Sequence, residues 1–217
     1  MNKKAQYFIL IICSLVILSA TEKPKLARLH YDGGGDWYND PDILPNIANY
    51  LNTMIKSDFA KDQAVVKPSE SKLFDYPFVF MTGHGNIKFS DKDAKNLRDY
   101  LLMGGFLYAD DDYGMDESFR IAMKKVFPEK NLIELPSNHE IYSSFYIFND
   151  GLPKTHKHDD DRPQAFAIFD DNGRIMVLYT FESNISDGWS NTHDDPTEIR
   201  DLAFKFGANI FYYVLTH

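Results

Sequence analysis

The sequence predicts an α/β protein built on an open, mostly parallel, doubly wound sheet. Three observations carry that expectation. From residue 26 onward, short apolar segments alternate with amphipathic helical ones, the pattern of an open sheet covered on both sides. One apolar segment, Phe78-Val79-Phe80-Met81, runs unbroken between Pro77 and Gly83, as a strand buried on both faces of a parallel sheet does. The turns after three of these segments are rich in glycine and carry acids or an imidazole, and open α/β sheets bind ligands beyond the carboxyl ends of their strands.

Each element follows in order. Leu26 to Tyr31 reads as the first strand, ended by Gly33-Gly34-Gly35. A helix from about Asp42 places Ile43, Ile47, Leu51, Met54 and Ile55 on one face, with Pro45 tolerated in its first turn. Ala64 to Lys67 is a short second strand, and Phe78 to Met81 the third. Ser90 and Asp93 form an acidic capping box for a helix whose stripe is Ala94, Leu97, Tyr100 and Leu101. Gly104-Gly105 stops it, and Phe106 to Ala109 is the next strand. A helix from about Asp116 to Val126 uses Phe119, Ala122, Met123 and Val126. The pattern then loosens from Pro128 to Pro163, a stretch that includes the polar tract His156 to Arg162. Ala165 to Phe169 and Arg174 to Thr180 are strands joined through Asn172-Gly173, a hairpin signal. The closing helix, about Pro196 to Leu215, aligns Leu202, Phe206, Ile210 and Tyr213.

The 217 residues suffice for one domain, with no repeat, low-complexity tract or linker to divide them. A net charge of −9 argues against a nucleic-acid partner, which needs clustered Lys and Arg. Lys3 and Lys4 followed by the apolar run Tyr7 to Ala20 match a signal peptide over residues 1–20, being shorter than the roughly 20 residues that span a bilayer. The expectation is an exported, periplasmic or secreted protein, its single domain spanning 21–217, with a membrane tie only through an uncleaved leader. Removing Lys3 and Lys4 leaves 21 basic against 32 acidic residues, a net −11. The only cysteine, Cys13, lies inside the leader, so the exported chain has no thiolate nucleophile and no disulfide.

Function is sought in three loops that the strand-end rule brings together: Asp32 to Tyr38, Thr82 to Asn86, and Asp110 to Gly114. Turn duty explains their Gly, Asn and Asp but not His84 or Trp37. Asp36, His84, Asp110 and Asp111 are the candidate catalytic residues, as general acids and bases or as cation ligands. Capping of the following helix accounts for one or two of the acids at 110–112. Trp37, His139 and Trp189 are candidate substrate-binding residues, since flat aromatic faces suit sugars and cations; packing is the plain alternative for both tryptophans. His193, beside Asp194 and Asp195, is a further imidazole. The glycine run is neither a dinucleotide fingerprint nor a Walker loop. No cofactor is specified by these residues; a divalent metal is the one that an Asp and His set would take, its ligands unassigned.

These motifs resemble a family catalogued as domain of unknown function 4159. The resemblance rests on Gly-Gly-Gly-Asp-Trp-Tyr at 33–38, Met-Thr-Gly-His-Gly at 81–85, Gly-Gly-Phe-Leu-Tyr-Ala-Asp-Asp at 104–111, His139-Glu140-Ile141 with Phe145-Tyr146, and Asp187-Gly188-Trp189. It covers residues 26–217. It implies a flavodoxin-like sheet similar to class I glutamine amidotransferases and to trehalose-utilisation ThuA-like proteins, and it implies no chemistry of its own. In class I amidotransferases the turn after the Gly-Gly-containing strand holds a nucleophilic Cys. Here that turn reads Ala109-Asp110-Asp111-Asp112, which excludes Cys-dependent glutamine hydrolysis. Two readings remain open: a catalytic or formerly catalytic small-molecule site, with carbohydrate one class of ligand, and a non-catalytic binding or scaffold module of the cell envelope.

Overall fold

The computed structural model describes residues 22–155 and 161–217. The expected leader with Cys13, and residues 156–160 of the polar tract, lie outside the described residues.

Seven strands are present among them: β1 (Ala27–Leu29), β2 (Ala64–Val66), β3 (Phe78–Met81), β4 (Phe106–Asp110), β5 (Ile133–Glu134), β6 (Gln164–Phe169) and β7 (Ile175–Phe181). Four α-helices accompany these strands: α1 (Ile43–Met54), α2 (Asp91–Leu102), α3 (Asp116–Val126) and α4 (Thr197–Thr216). The strands form one sheet in the order β2-β1-β3-β4-β7-β6-β5. The first five in that order are parallel, and β6 and β5 run antiparallel to their neighbours. None of the described helices is long and apolar enough to cross a membrane.

The alternation of side chains along a strand sorts the core into two layers. Phe78, Phe80, Phe106 and Tyr108 join the layer made with α1 and α4. Val79, Met81, Leu107 and Ala109 join the layer made with α2 and α3. All four residues of β3 are buried, as an unbroken apolar strand requires. The Ser90–Asp93 capping box forms in both directions, with Asp93 N–H donating to Ser90 Oγ and Ser90 N–H to Asp93 Oδ2. The chain leaves β1 toward α1 on one face and β3 toward α2 on the other. Between those two neighbouring strands the connections part, which in open α/β sheets is where ligands bind beyond the carboxyl ends.

Three details depart from expectation. In α1, Met54 is 41% exposed and lies off the buried face of Ile43, Ile47 and Leu51. The loose stretch after Pro128 contains β5, two residues long, which pairs with β6 as a sheet edge. In α4, Leu202 is 38% exposed and Ala203 takes the buried position, so the apolar stripe runs through Ala203, Phe206 and Ile210.

Candidate functional site

The loops after β1 and β3 are laced together by backbone hydrogen bonds: Gly35 N–H to the Asn86 carbonyl at 3.1 Å, and Lys88 N–H to the Asp32 carbonyl at 2.6 Å. Glycine is required where they touch. At Gly33, with φ +121°, a Cβ would lie 2.7 Å from the Asn86 oxygen. At Gly83, with φ +140°, it would meet Tyr31 Oη at 2.5 Å and Asp36 Oδ1 at 2.9 Å. Both positions are closed to any residue with a side chain.

This close approach sets His84 between two carboxylates. Its Nδ1 lies 3.0 Å from Asp36 Oδ2, and its backbone N–H donates to Asp36 Oδ1. Its Nε2 lies 3.2 Å from Asp112 Oδ2. The imidazole is 47% exposed, whereas Asp112 is 3% exposed. Burial would raise the Asp36 pKa, but the His84 N–H and imidazole outweigh it and hold the carboxyl below its ordinary value. Burial of Asp112 wins over the opposing imidazole and raises its pKa. Asp112 is further held by Asn39 Nδ2 at 2.8 Å, and Asn184 Nδ2 donates to its carbonyl at 2.7 Å.

Of the three consecutive acids, Asp112 is therefore the one that faces His84, and Asp110 and Asp111 turn elsewhere. Asp110 is fully buried, accepting from Thr180 Oγ1 and from Ser186 N–H at 2.6 Å, and burial pushes its pKa up to about 6. Asp111 accepts from Met115 N–H at 3.0 Å at the start of α3 and from Tyr179 Oη at 3.2 Å; burial raises it likewise to about 6. Asp111 thereby serves the turn that leads into α3, holding the buried N–H of Met115 just ahead of the helix, a structural role near the capping alternative.

The aromatic candidates separate too. Trp37 stacks on His30 at 4.0 Å and stays half-buried beside the crevice, with Tyr38 (64% exposed) set edge-on to it. Trp189 is fully buried among Phe80 and Tyr108, its Nε1 donating to the Ala203 carbonyl at 2.9 Å, so it is a core residue and lines no pocket surface. His139 packs between Phe169 and Tyr213, at the end of β6 and near the start of β7, which is the amino end of the parallel strands. It lies across the sheet from His84, and burial lowers its pKa.

A second group adjoins the first. His193 Nε2 lies 2.7 Å from Asp40 Oδ2 and 3.9 Å from Asp187 Oδ1. Asn184 links the two groups, its Nδ2 lying 3.2 Å from both Asp112 Oδ1 and Asp187 Oδ2. Burial and the nearby Asp112 charge push Asp187 up to about 8. Burial alone would lower the His193 pKa, but the Asp40 hydrogen bond and the Asp187 charge outweigh it and the net shift is upward. The 36–40 loop is fixed from beneath by Arg28, 1% exposed, whose guanidinium donates to the carbonyls of Trp37, Asn39 and Asp40 and lies 5.5 Å from the Phe80 ring centroid. Burial lowers its pKa to about 10. Asp40 and Asp187 carry no sequence signal of a shared site. They are 147 residues apart, and only the topology joins them.

A cavity of about 250 Å³ borders Asp112, lined also by Tyr113, Asp116, Glu182 and Asn184. Larger hollows of about 330 Å³ beside Glu134 and about 450 Å³ between α2 and α3 lie away from Asp112. The arrangement around His84 can pass a proton between an exposed ring and a buried acid, and its acidic lining suits cationic or polyhydroxylated ligands.

A family model described as domain of unknown function (DUF4159) matches residues 25–215. No curated protein matches the chain.

Proposed function

The chain belongs to the family described as domain of unknown function (DUF4159), and from that premise we propose that it is an exported protein that binds or acts on a small polar molecule, with carbohydrate the favoured class. The ligand would lie in the crevice at the carboxyl ends of β1, β3 and β4. The observation that carries this reading is His84, half exposed and bonded by both ring nitrogens to carboxylates from two different loops. A turn imidazole with a purely structural role needs one such partner. Two partners hold the ring's plane and direction and leave its edge open to solvent, which is how a proton-handling or ligand-orienting group is positioned.

The flavodoxin-like, amidotransferase-like reading of the fold is part of this proposal. It is supported by the order β2-β1-β3-β4-β7 and by a crevice where the connections part. Exposed aromatic faces at Tyr38 and Tyr113 flank the acids, a combination that suits sugars. The β4 turn carries Asp110 and Asp111 where a thiol would stand, so the proposed chemistry is acid–base and not thiolate-based. A non-catalytic envelope module is the second reading. It is favoured by the β4 turn, which carries Asp110 and Asp111 and no nucleophile.

The test is saturation-transfer NMR with a panel of neutral and amino sugars, followed by assay of any binder for turnover. Binding should weaken about tenfold or more in His84→Ala and Asp112→Asn, with the circular dichroism of the wild type retained and no ammonia released from glutamine. Binding unchanged in both variants, or no binder in the panel, overturns the carbohydrate reading. Protein from the producing cell should begin near Thr21; an intact Met1 in the cytosolic fraction would overturn export.

A further inference from the structure

We infer that Asp40, Asp187 and His193 form a binding site for one divalent transition-metal ion. One ligand atom from each lies within 4.8 Å of the others. The two edges that meet at the imidazole, 2.7 Å from His193 Nε2 to Asp40 Oδ2 and 3.9 Å to Asp187 Oδ1, bracket the roughly 3.4 Å edge of a tetrahedron with metal–ligand bonds of about 2.1 Å.

The groups around these three atoms decide which oxygens are left to coordinate. Asp40 Oδ1 is taken by Ser190 Oγ at 3.3 Å and by Thr192 Oγ1. Asp187 Oδ2 is taken by Asn184 Nδ2 at 3.2 Å. Asp40 Oδ2 and Asp187 Oδ1 are thereby turned toward the imidazole. Asp187 Oδ1, on a side chain only 3% exposed, accepts no hydrogen bond from the described residues; its polar neighbour among them is His193 Nε2 at 3.9 Å. A carboxylate oxygen that accepts no hydrogen bond keeps its lone pairs for a cation. Arg28, the buried cation beneath this loop, spends its donors on carbonyl oxygens rather than on either carboxylate. Holding each ligand's other oxygen in place is what fixes a metal site's geometry and raises its affinity.

The donor set of two carboxylates and one imidazole selects among ions. Calcium takes six to eight oxygens and gains little here. Zn²⁺ and Mn²⁺ accept a mixed nitrogen and oxygen set with open positions for water or ligand. His193 is 27% exposed, so the site keeps contact with solvent. The site is separate from the proposal for His84, although Asn184 couples the two.

The experiment is calorimetric titration of the chelator-treated full chain with Zn²⁺ and Mn²⁺, with thermal unfolding followed in parallel. One ion per chain should bind and raise the melting temperature, by mass action on the folded state. His193→Gln and Asp187→Asn should each weaken binding by at least about 100-fold, since even partners outside the ligand set cost about 10–100-fold. If Asp187→Asn fails to fold, the part-exposed His193→Gln carries the test. His84→Ala should bind the ion as the wild type does, which separates failure here from failure of the His84 reading. A His156→Ala, His158→Ala double variant should also bind normally. No ion bound by the wild type, unchanged binding in His193→Gln, or loss of binding in the 156/158 variant would each overturn the assignment.

Discussion

Replacing Asp111 by Asn should make the protein more stable at pH 8 and nearly unchanged at pH 4. Asp111 has its pKa raised by burial from 3.8 to about 6. The folded state therefore binds more protons than the unfolded chain between those values, and stability falls as pH rises through that window. The stability that protonated Asp111 contributes is fully present below about pH 4 and is lost once pH passes 6. A carboxyl displaced that far corresponds to about 3 kcal/mol. The amide of the Asp111→Asn variant keeps the acceptor for Met115 N–H and can donate to Tyr179 Oη, whose proton has Asp116 Oδ1 at 2.9 Å as its other acceptor. The hydrogen bond to Met115 survives while the buried charge is gone. Urea unfolding of both proteins from pH 4 to pH 8 measures the difference. The gap between variant and wild type should widen to the order of 3 kcal/mol as pH rises. A gap that does not change with pH would show that Asp111 titrates alike in both states, and the account of its burial would be wrong.

Arg28→Met should cost about 3–5 kcal/mol, because three loop carbonyls lose a charged donor worth about 1.5–3 kcal/mol each while a buried cation is removed in partial compensation; denaturant midpoints read this, and a neutral result would contradict it. Gly105→Ala should lose about 1–3 kcal/mol, since its Cβ would collide with the Tyr100 ring, which is tied to Phe106 at 3.1 Å through its hydroxyl. An unchanged melting temperature in Gly105→Ala would mean that the ring is free to yield.

What was legible in the sequence was what is local. β3 and α3 have the bounds that periodicity gave, because apolar runs and helical stripes need no distant partner. The Ser90 cap reads directly from a spacing of three. β5 was illegible because two residues carry no period, and it exists only through pairing with β6 about thirty positions on. The crevice rule brought the Asp36 and His84 loops together correctly. It could not say which of three consecutive acids would turn toward the imidazole, since that depends on Thr180 and Ser186 claiming Asp110 and on α3 claiming Asp111. For Trp189 the sequence left a ligand platform and ordinary packing both open. The short 3-10 turn at Asp187–Trp189 instead turns the ring into the core, where Phe80 and Tyr108 enclose it. Aromatic residues look alike in sequence whichever way their turn points.

The margins of the sheet carry a consequence of their own. One side ends in β2, three residues long, and the other in β5, two residues long. An unpaired strand edge is a template on which another chain can add, and proteins blunt it by shortening it or charging it. Both devices are present here. β2 leads directly into Lys67 and Pro68, and Glu134 in β5 is engaged by Arg162 and Gln164. The longer strands, where main-chain pairing would be strongest, are interior and already paired on both sides. Self-association of this chain should therefore proceed through side chains rather than by strand addition, and concentrated solutions should resist conversion to cross-β aggregates for as long as the sheet stays closed.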